Sequence, residues 1–169
     1  MSDRLPFDPS AMVARLVTEG VDFVIIGGLA ATLQGAELPT LDLDISYDRS
    51  LQNLERLASA LQDLEVRLRG AEDVPIHIDA LFLRNGEIWT FRSSVGNIDC
   101  LANPTGAPPY DQLKERAVKV ALGPHQVKIA NLDDLIAMKG TTGRDKDVMK
   151  LAELIQLRQL IQENEHNPR

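Results

Sequence analysis

Several protein classes depend on residues that this chain has little of. It has one cysteine, Cys100, in 169 residues, which excludes a disulfide framework and a cysteine-rich zinc site. Aromatic residues make up 4%, which argues against a surface that stacks bare nucleobases. Positive charge is in deficit. Lys plus Arg number 18 against 25 Asp plus Glu, a formal net charge of −7, with a pI near 4.9. Such a domain is a poor match for a phosphate backbone over a broad surface, although a local basic groove is compatible with it. No apolar run approaches the roughly 20 residues of a membrane span. The start, Met1-Ser2-Asp3-Arg4-Leu5-Pro6, has no apolar signal core, so a cytoplasmic protein is expected.

Hydrophobic residues at 44% and charged residues at 25% suit one ordinary folded domain. The expected organisation is a single domain over 1–162, with a core over about 21–130, C-terminal helices over about 131–162 and a flexible tail over 163–169. Asp8 and Pro9 open a first helix that Gly20 stops, with Met12, Val13, Leu16 and Val17 inward. Val21 to Ile26 is a β-branched apolar run, the mark of a strand buried on both faces. A short helix over Leu29–Gln34 follows. In Leu41-Asp42-Leu43-Asp44-Ile45 apolar and acidic residues alternate, which predicts a strand with Leu41, Leu43 and Ile45 on one face and both Asp on the other. Ser50 caps a helix carrying Leu51, Leu54, Leu57, Ala58 and Leu61. The region from Ile76 to Leu101 reads as strands, with Asn85-Gly86 predicting a hairpin between Ala80–Leu83 and Ile88–Phe91. Further on, a helix covers Tyr110–Ala117 and a second hairpin turns at Gly123-Pro124. Asn131 caps a helix to Lys139, and a last helix runs from about Asp145 to about Gln162. The order predicts an α/β or α+β domain with a mixed sheet flanked by helices.

Two features carry chemistry. Gly27-Gly28 ends a buried strand and enters a helix, so backbone can approach a ligand closely, and a helix start favours phosphate. Asp42 and Asp44 are two residues apart on a strand, with Cα atoms roughly 6–7 Å apart and both carboxylates on one face. Oxygen donors at that spacing suit a hard divalent ion or an ion pair. An Asp-x-Asp match alone is weak, and Asp145-x-Asp147 is a second one, read as a solvated helix end. The diglycine after an apolar strand and the alternation around Asp42 and Asp44 set the first match apart.

Gly27-Gly28 followed by Thr40-Leu41-Asp42-Leu43-Asp44-Ile45 resembles the signature of the nucleotidyltransferase superfamily, the polymerase-β-like fold. Val95-Gly96-Asn97-Ile98-Asp99-Cys100-Leu101, the Gly/Pro loop to Tyr110, and Val127–Lys139 followed by Gly143-Arg144-Asp145-Lys146-Asp147 resemble its small bacterial branch. That branch includes AbiEii-type toxins. The resemblance runs from about Val21 to about Leu160. It implies Mg2+ or Mn2+ held by Asp42, Asp44 and Asp99, which would also be the catalytic residues. It implies a nucleoside triphosphate as substrate, its phosphates cradled by Gly27 and Gly28, with Lys139, Arg144 and Lys146 as positive partners. A nucleoside monophosphate would pass to a hydroxyl on an RNA end, a protein or a small molecule. A homo-oligomer or a protein partner such as an antitoxin, and no membrane, complete the expectation. Two positions depart from the pattern: Gly28 stands where many members have Ser, and Leu38 where many small bacterial members have Arg. These favour the alternative, a weak or inactive relative that binds a nucleotide or a protein as a regulatory module. A two-metal phosphohydrolase is a third reading of the same carboxylates. His77-x-Asp79 is read as a solvated pair, and Trp89, Phe91 and Cys100 as core.

Overall fold

The elements run α1 (Pro9–Thr18), β1 (Phe23–Ile26), α2 (Gly27–Leu33), β2 (Asp42–Tyr47), α3 (Leu51–Asp63), β3 (Arg67–Leu68), α4 (Ala80–Arg84), β4 (Ile88–Ser93), β5 (Gly96–Leu101), α5 (Tyr110–Arg116), β6 (Val118–Leu122), β7 (His125–Ile129), α6 (Leu132–Gly140) and α7 (Asp145–His166). They come from a computed structural model that describes residues 6–141, 143 and 145–167, the side chains of Asp145 and Lys146 excepted. The strands form one mixed sheet of order β3-β4-β5-β2-β1-β7-β6. β2 is the middle strand, and beside it the four residues of β1 are all buried. β1 pairs antiparallel with β2 and parallel with β7, while β2 pairs parallel with β5. Among the described residues, no helix is long and apolar enough to cross a membrane.

Capping follows the sequence signals. Asp8 accepts from the Ala11 N–H at 3.0 Å, Ser50 from Asn53 at 3.3 Å and Asn131 from Asp134 at 2.8 Å. Each satisfies a donor that the helix start leaves unpaired. On one face of the sheet Leu43 and Ile45 of β2, Ile98 and Cys100 of β5 and Phe91 of β4 are fully buried. Met12, Leu16, Leu54, Leu57 and Leu61 of α1 and α3 belong to the same core cluster. Because strand side chains alternate, the opposite face at Asp42, Asp44 and Asp99 is the less covered one.

The structure corrects several expectations. Ala80–Leu83 is helix rather than strand. Asp79 caps it by accepting from the Phe82 N–H at 2.7 Å, and Ala and Leu are strong helix formers. Asn85-Gly86 therefore closes a helix and turns no hairpin. The hairpin partner of β4 is β5, joined at Ser93–Gly96. β3, missing from the sequence reading, pairs antiparallel with β4. Leu41 and Leu51 are exposed rather than inward, each lying just outside or at the start of its element. α7 continues to His166, past the expected end near Gln162, so 163–166 are helical rather than a tail. Asp147 is 5% exposed, not solvated, because it pairs with Lys139 at 3.2 Å. Cys100 and Phe91 are core as expected, and Trp89 is half-buried, its indole N–H donating to the Leu83 carbonyl at 3.1 Å. His77 is exposed, 3.9 Å from Asp79.

Candidate active site

β2 and β5 run parallel with Asp44 opposite Asp99 and Asp42 opposite Asn97. Residues directly opposed on neighbouring strands share a face, so the three carboxylates stand together on one side of the sheet. The same register carries across to Thr90 and Arg92 of β4.

Burial and mutual repulsion act on this cluster. The Asp44 carboxyl is pushed up from 3.8 to about 7, chiefly by burial and then by the charges of Asp99 and Asp42, against the pull of Lys139 and Arg69. Burial also raises Asp99, opposed by the Arg69 guanidinium. Burial, more than the neighbouring charges, is what disfavours the ionised form of these two carboxyls.

Two backbone details bring the diglycine to these carboxylates. Gly27 has φ +69°, a left-handed conformation that costs glycine little. A Cβ placed there would run into the Asp44 carboxylate. At Gly28 a Cβ would lie 3.1 Å from the Thr40 side chain. No side chain caps the start of α2.

A cavity of about 340 Å³ opens beside this corner, lined by Gly27, Gly28, Asp42, Asp44, Lys139 and Lys150 and walled by apolar residues including Leu38, Leu41, Leu101, Met138 and Leu154. Leu38 is therefore a wall of this cavity. Lys139 reaches it from the end of α6, tied to Asp147 of α7 at 3.2 Å. Arg144 lies outside the described residues, and so does the side chain of Lys146, although its backbone belongs to α7.

Three contributors were missed by sequence reasoning. Arg69, which follows β3, pairs through Nη2 with Asp99 Oδ1, and its Nη1 lies 3.7 Å from Asp42 Oδ2. Its backbone N–H donates to the Thr90 carbonyl at 2.9 Å, so its stem continues the pairing of β3 with β4. The alternation in Val66-Arg67-Leu68-Arg69 before Gly70 is too short to mark a strand by periodicity. Asn97 donates from Nδ2 to Asp42 Oδ1 at 3.1 Å. Lys150 stands one helical turn before the buried Leu154, a spacing that puts both on one face of α7.

Whether these residues suit a divalent ion depends on their donors and spacing. Among the described residues, no three of His, Cys, Asp and Glu form a ready cage for an ion, and Arg69 lies across Asp42 and Asp99. The donors nevertheless fit: all three are carboxylate oxygens, the type hard cations take. Asn97 Oδ1 is a buried acceptor with no partner. The missing Cβ at Gly27 leaves Asp44 its room.

Comparison with solved structures places the fold. The lincosamide antibiotic adenylyltransferase LnuA, lincomycin-bound, superposes with a TM-score of 0.60 at 11% identity, covering 90% of this chain and 99% of that one. An antigenic nucleotidyltransferase-like protein from Paracoccidioides brasiliensis gives 0.55 at 16% identity, over 94% of this chain and 77% of that one. The antibiotic-resistance factor ANT(2'')-Ia gives 0.52 at 10% identity, over 93% and 92%. The sequence matches no protein-family model and no curated protein. The chain has the nucleotidyltransferase fold.

Proposed function

We propose that this protein is a magnesium-dependent nucleotidyltransferase that moves a nucleoside monophosphate from a nucleoside triphosphate to a hydroxyl acceptor. The observation that carries the reading is the register of β2 against β5, which sets Asp44 beside Asp99 with Asp42 one pleat away and Gly27 against Asp44. Asp42, Asp44 and Asp99 are the ligands for the metal, which when bound supplies neutralisation of the charge that grows on the phosphate oxygens. Gly27 and Gly28 let the β and γ phosphates come close to backbone. Lys139 and Lys150 add positive charge at the cavity. The acceptor oxygen bonds to the α-phosphorus as the bond to pyrophosphate breaks, and Asp99 takes the hydroxyl proton.

The acceptor class is an RNA end, a protein side chain or a small molecule. The net charge of −7 disfavours a long polyanion. The fold is shared with LnuA, named for its action on lincosamide antibiotics. Both favour the small molecule. A second reading, a silent nucleotide-binding regulatory module, is favoured by Leu38 on the cavity wall and by Arg69 lying across two of the carboxylates.

Calorimetry with ATP, GTP, CTP and UTP, with and without magnesium, separates the two. The enzyme reading expects triphosphate binding that needs magnesium and disappears in Asp42→Ala plus Asp44→Ala. Incubating labelled triphosphate with cell extract then expects label on an acceptor. Binding without transfer supports the silent module, and no binding in millimolar magnesium contradicts both.

A further inference from the structure

The contact least explained by nucleotide transfer is the Arg69 guanidinium. It reaches Asp99 with one terminal nitrogen and faces Asp42 at 3.7 Å with the other. Its side chain is about a quarter exposed, and the residue is anchored by the backbone bond to Thr90. A guanidinium is always charged and carries a rigid fork of donors. It therefore supplies, from within the chain, positive charge directly against Asp42 and Asp99. The two carboxylates it spans are two of the three that the proposed function assigns to the metal.

We infer that Arg69 is a tethered counter-ion that holds Asp42 and Asp99 in register before metal binds, and that a divalent ion must displace it from Asp42. The inference rests on the metal role proposed for the three carboxylates. Arg69 is thus a positioning residue whose charge sets metal affinity. Among the described residues, the other polar groups near the cluster have further partners of their own. Lys139 pairs with Asp147 at 3.2 Å, and Asn97 is neutral and already donates to Asp42. Arg92 is engaged by Glu72 at 3.4 Å.

Two consequences have opposite signs, which a purely structural role does not produce. Without metal, removing the guanidinium leaves three carboxylates facing one another, so the protein melts earlier. With metal, the competing charge is gone and the ion binds more tightly.

The test is Mn2+ binding to the full chain, read from the electron paramagnetic resonance signal of free Mn2+, alongside melting curves with and without Mn2+. Arg69→Gln is expected to bind Mn2+ about tenfold more tightly than the unaltered protein, to melt lower without metal and to regain the difference at saturating Mn2+. Arg69→Lys keeps the charge and is expected to stay within about threefold of the unaltered protein. Equal or weaker Mn2+ binding by Arg69→Gln overturns the inference while leaving the metal role intact. An equal shift in both variants shows that the fork's geometry acts rather than its charge, and also overturns it. If neither the unaltered protein nor Arg69→Gln binds Mn2+ at millimolar concentration, the metal role itself falls and the inference with it.

Discussion

Asp44 concentrates the electrostatic cost of the site in one side chain. Its folded-state pKa, near 7 against an ordinary 3.8, means that the native state binds a proton more tightly than the unfolded state does. The contribution of this one group is therefore most favourable below about pH 4, falls as pH rises to about 7, and carries the full penalty above that. The penalty is at most about 4 kcal/mol. Asp44→Asn removes it, so the variant should melt higher than the unaltered protein at pH 8 and within error of it at pH 4, in buffers with chelator. Gly27 makes a second residue-scale case. Gly27→Ala forces a left-handed alanine against the Asp44 carboxylate, at a cost of about 1–3 kcal/mol in chemical denaturation. Gly27, Gly28, Asp42 and Asp44 were legible because a diglycine after a β-branched run and an acidic alternation are local patterns. Arg69 and Lys150 were not, since each reaches the site from a distant part of the chain, and a lone cation on an exposed turn or helix carries no local mark.

At the scale of elements, the entry to α3 rests on one buried amide. Asn53 donates from Nδ2 to the Asp22 and Asp48 carbonyls at 3.0 and 2.7 Å and accepts from the Asp22 N–H at 2.7 Å. It thereby ties α3 to the segment leading into β1 and to the end of β2. Asn53→Ala takes the partner from the Asp22 N–H and the Asp48 carbonyl, while the Asp22 carbonyl keeps the Asp48 N–H at 3.2 Å, and should cost about 2–4 kcal/mol, a fall in Tm of roughly 5–15 °C. Nearby, Asp22 also accepts from the Tyr110 hydroxyl at 2.7 Å and pairs with Lys114 at 2.6 Å, docking α5. The caps and the long amphipathic helices could be read directly from sequence. α4 could not, because a four-residue apolar run suits either a strand or a helix, and the Asp79 cap decides it only in three dimensions. β3 is two residues long, below what periodicity detects.

For the whole molecule, a net charge of −7 opposes the approach of a triphosphate, so recognition depends on local positive charge. Lys139 and Lys150, from α6 and α7, meet at the cavity although the strands that hold the carboxylates lie far earlier in the chain. Lys150→Gln should weaken magnesium–ATP binding about three- to tenfold while leaving the Tm almost unchanged, a result that isothermal calorimetry and a melting curve check together. The class of fold could be read from the order of elements and from the family resemblance. The strand order β3-β4-β5-β2-β1-β7-β6 was out of reach of local pattern, because it arises from pairings between strands far apart in sequence. The account comes down to whether Asp42, Asp44 and Asp99 share a cation. Crystals soaked in Mn2+ with a non-hydrolysable triphosphate, measured for anomalous scattering, answer that directly. The expected result is a manganese peak about 2.0–2.3 Å from oxygens of all three carboxylates, with Arg69 drawn away from Asp42. A saturated crystal with no peak there, or with Asp99 outside the coordination shell, contradicts it.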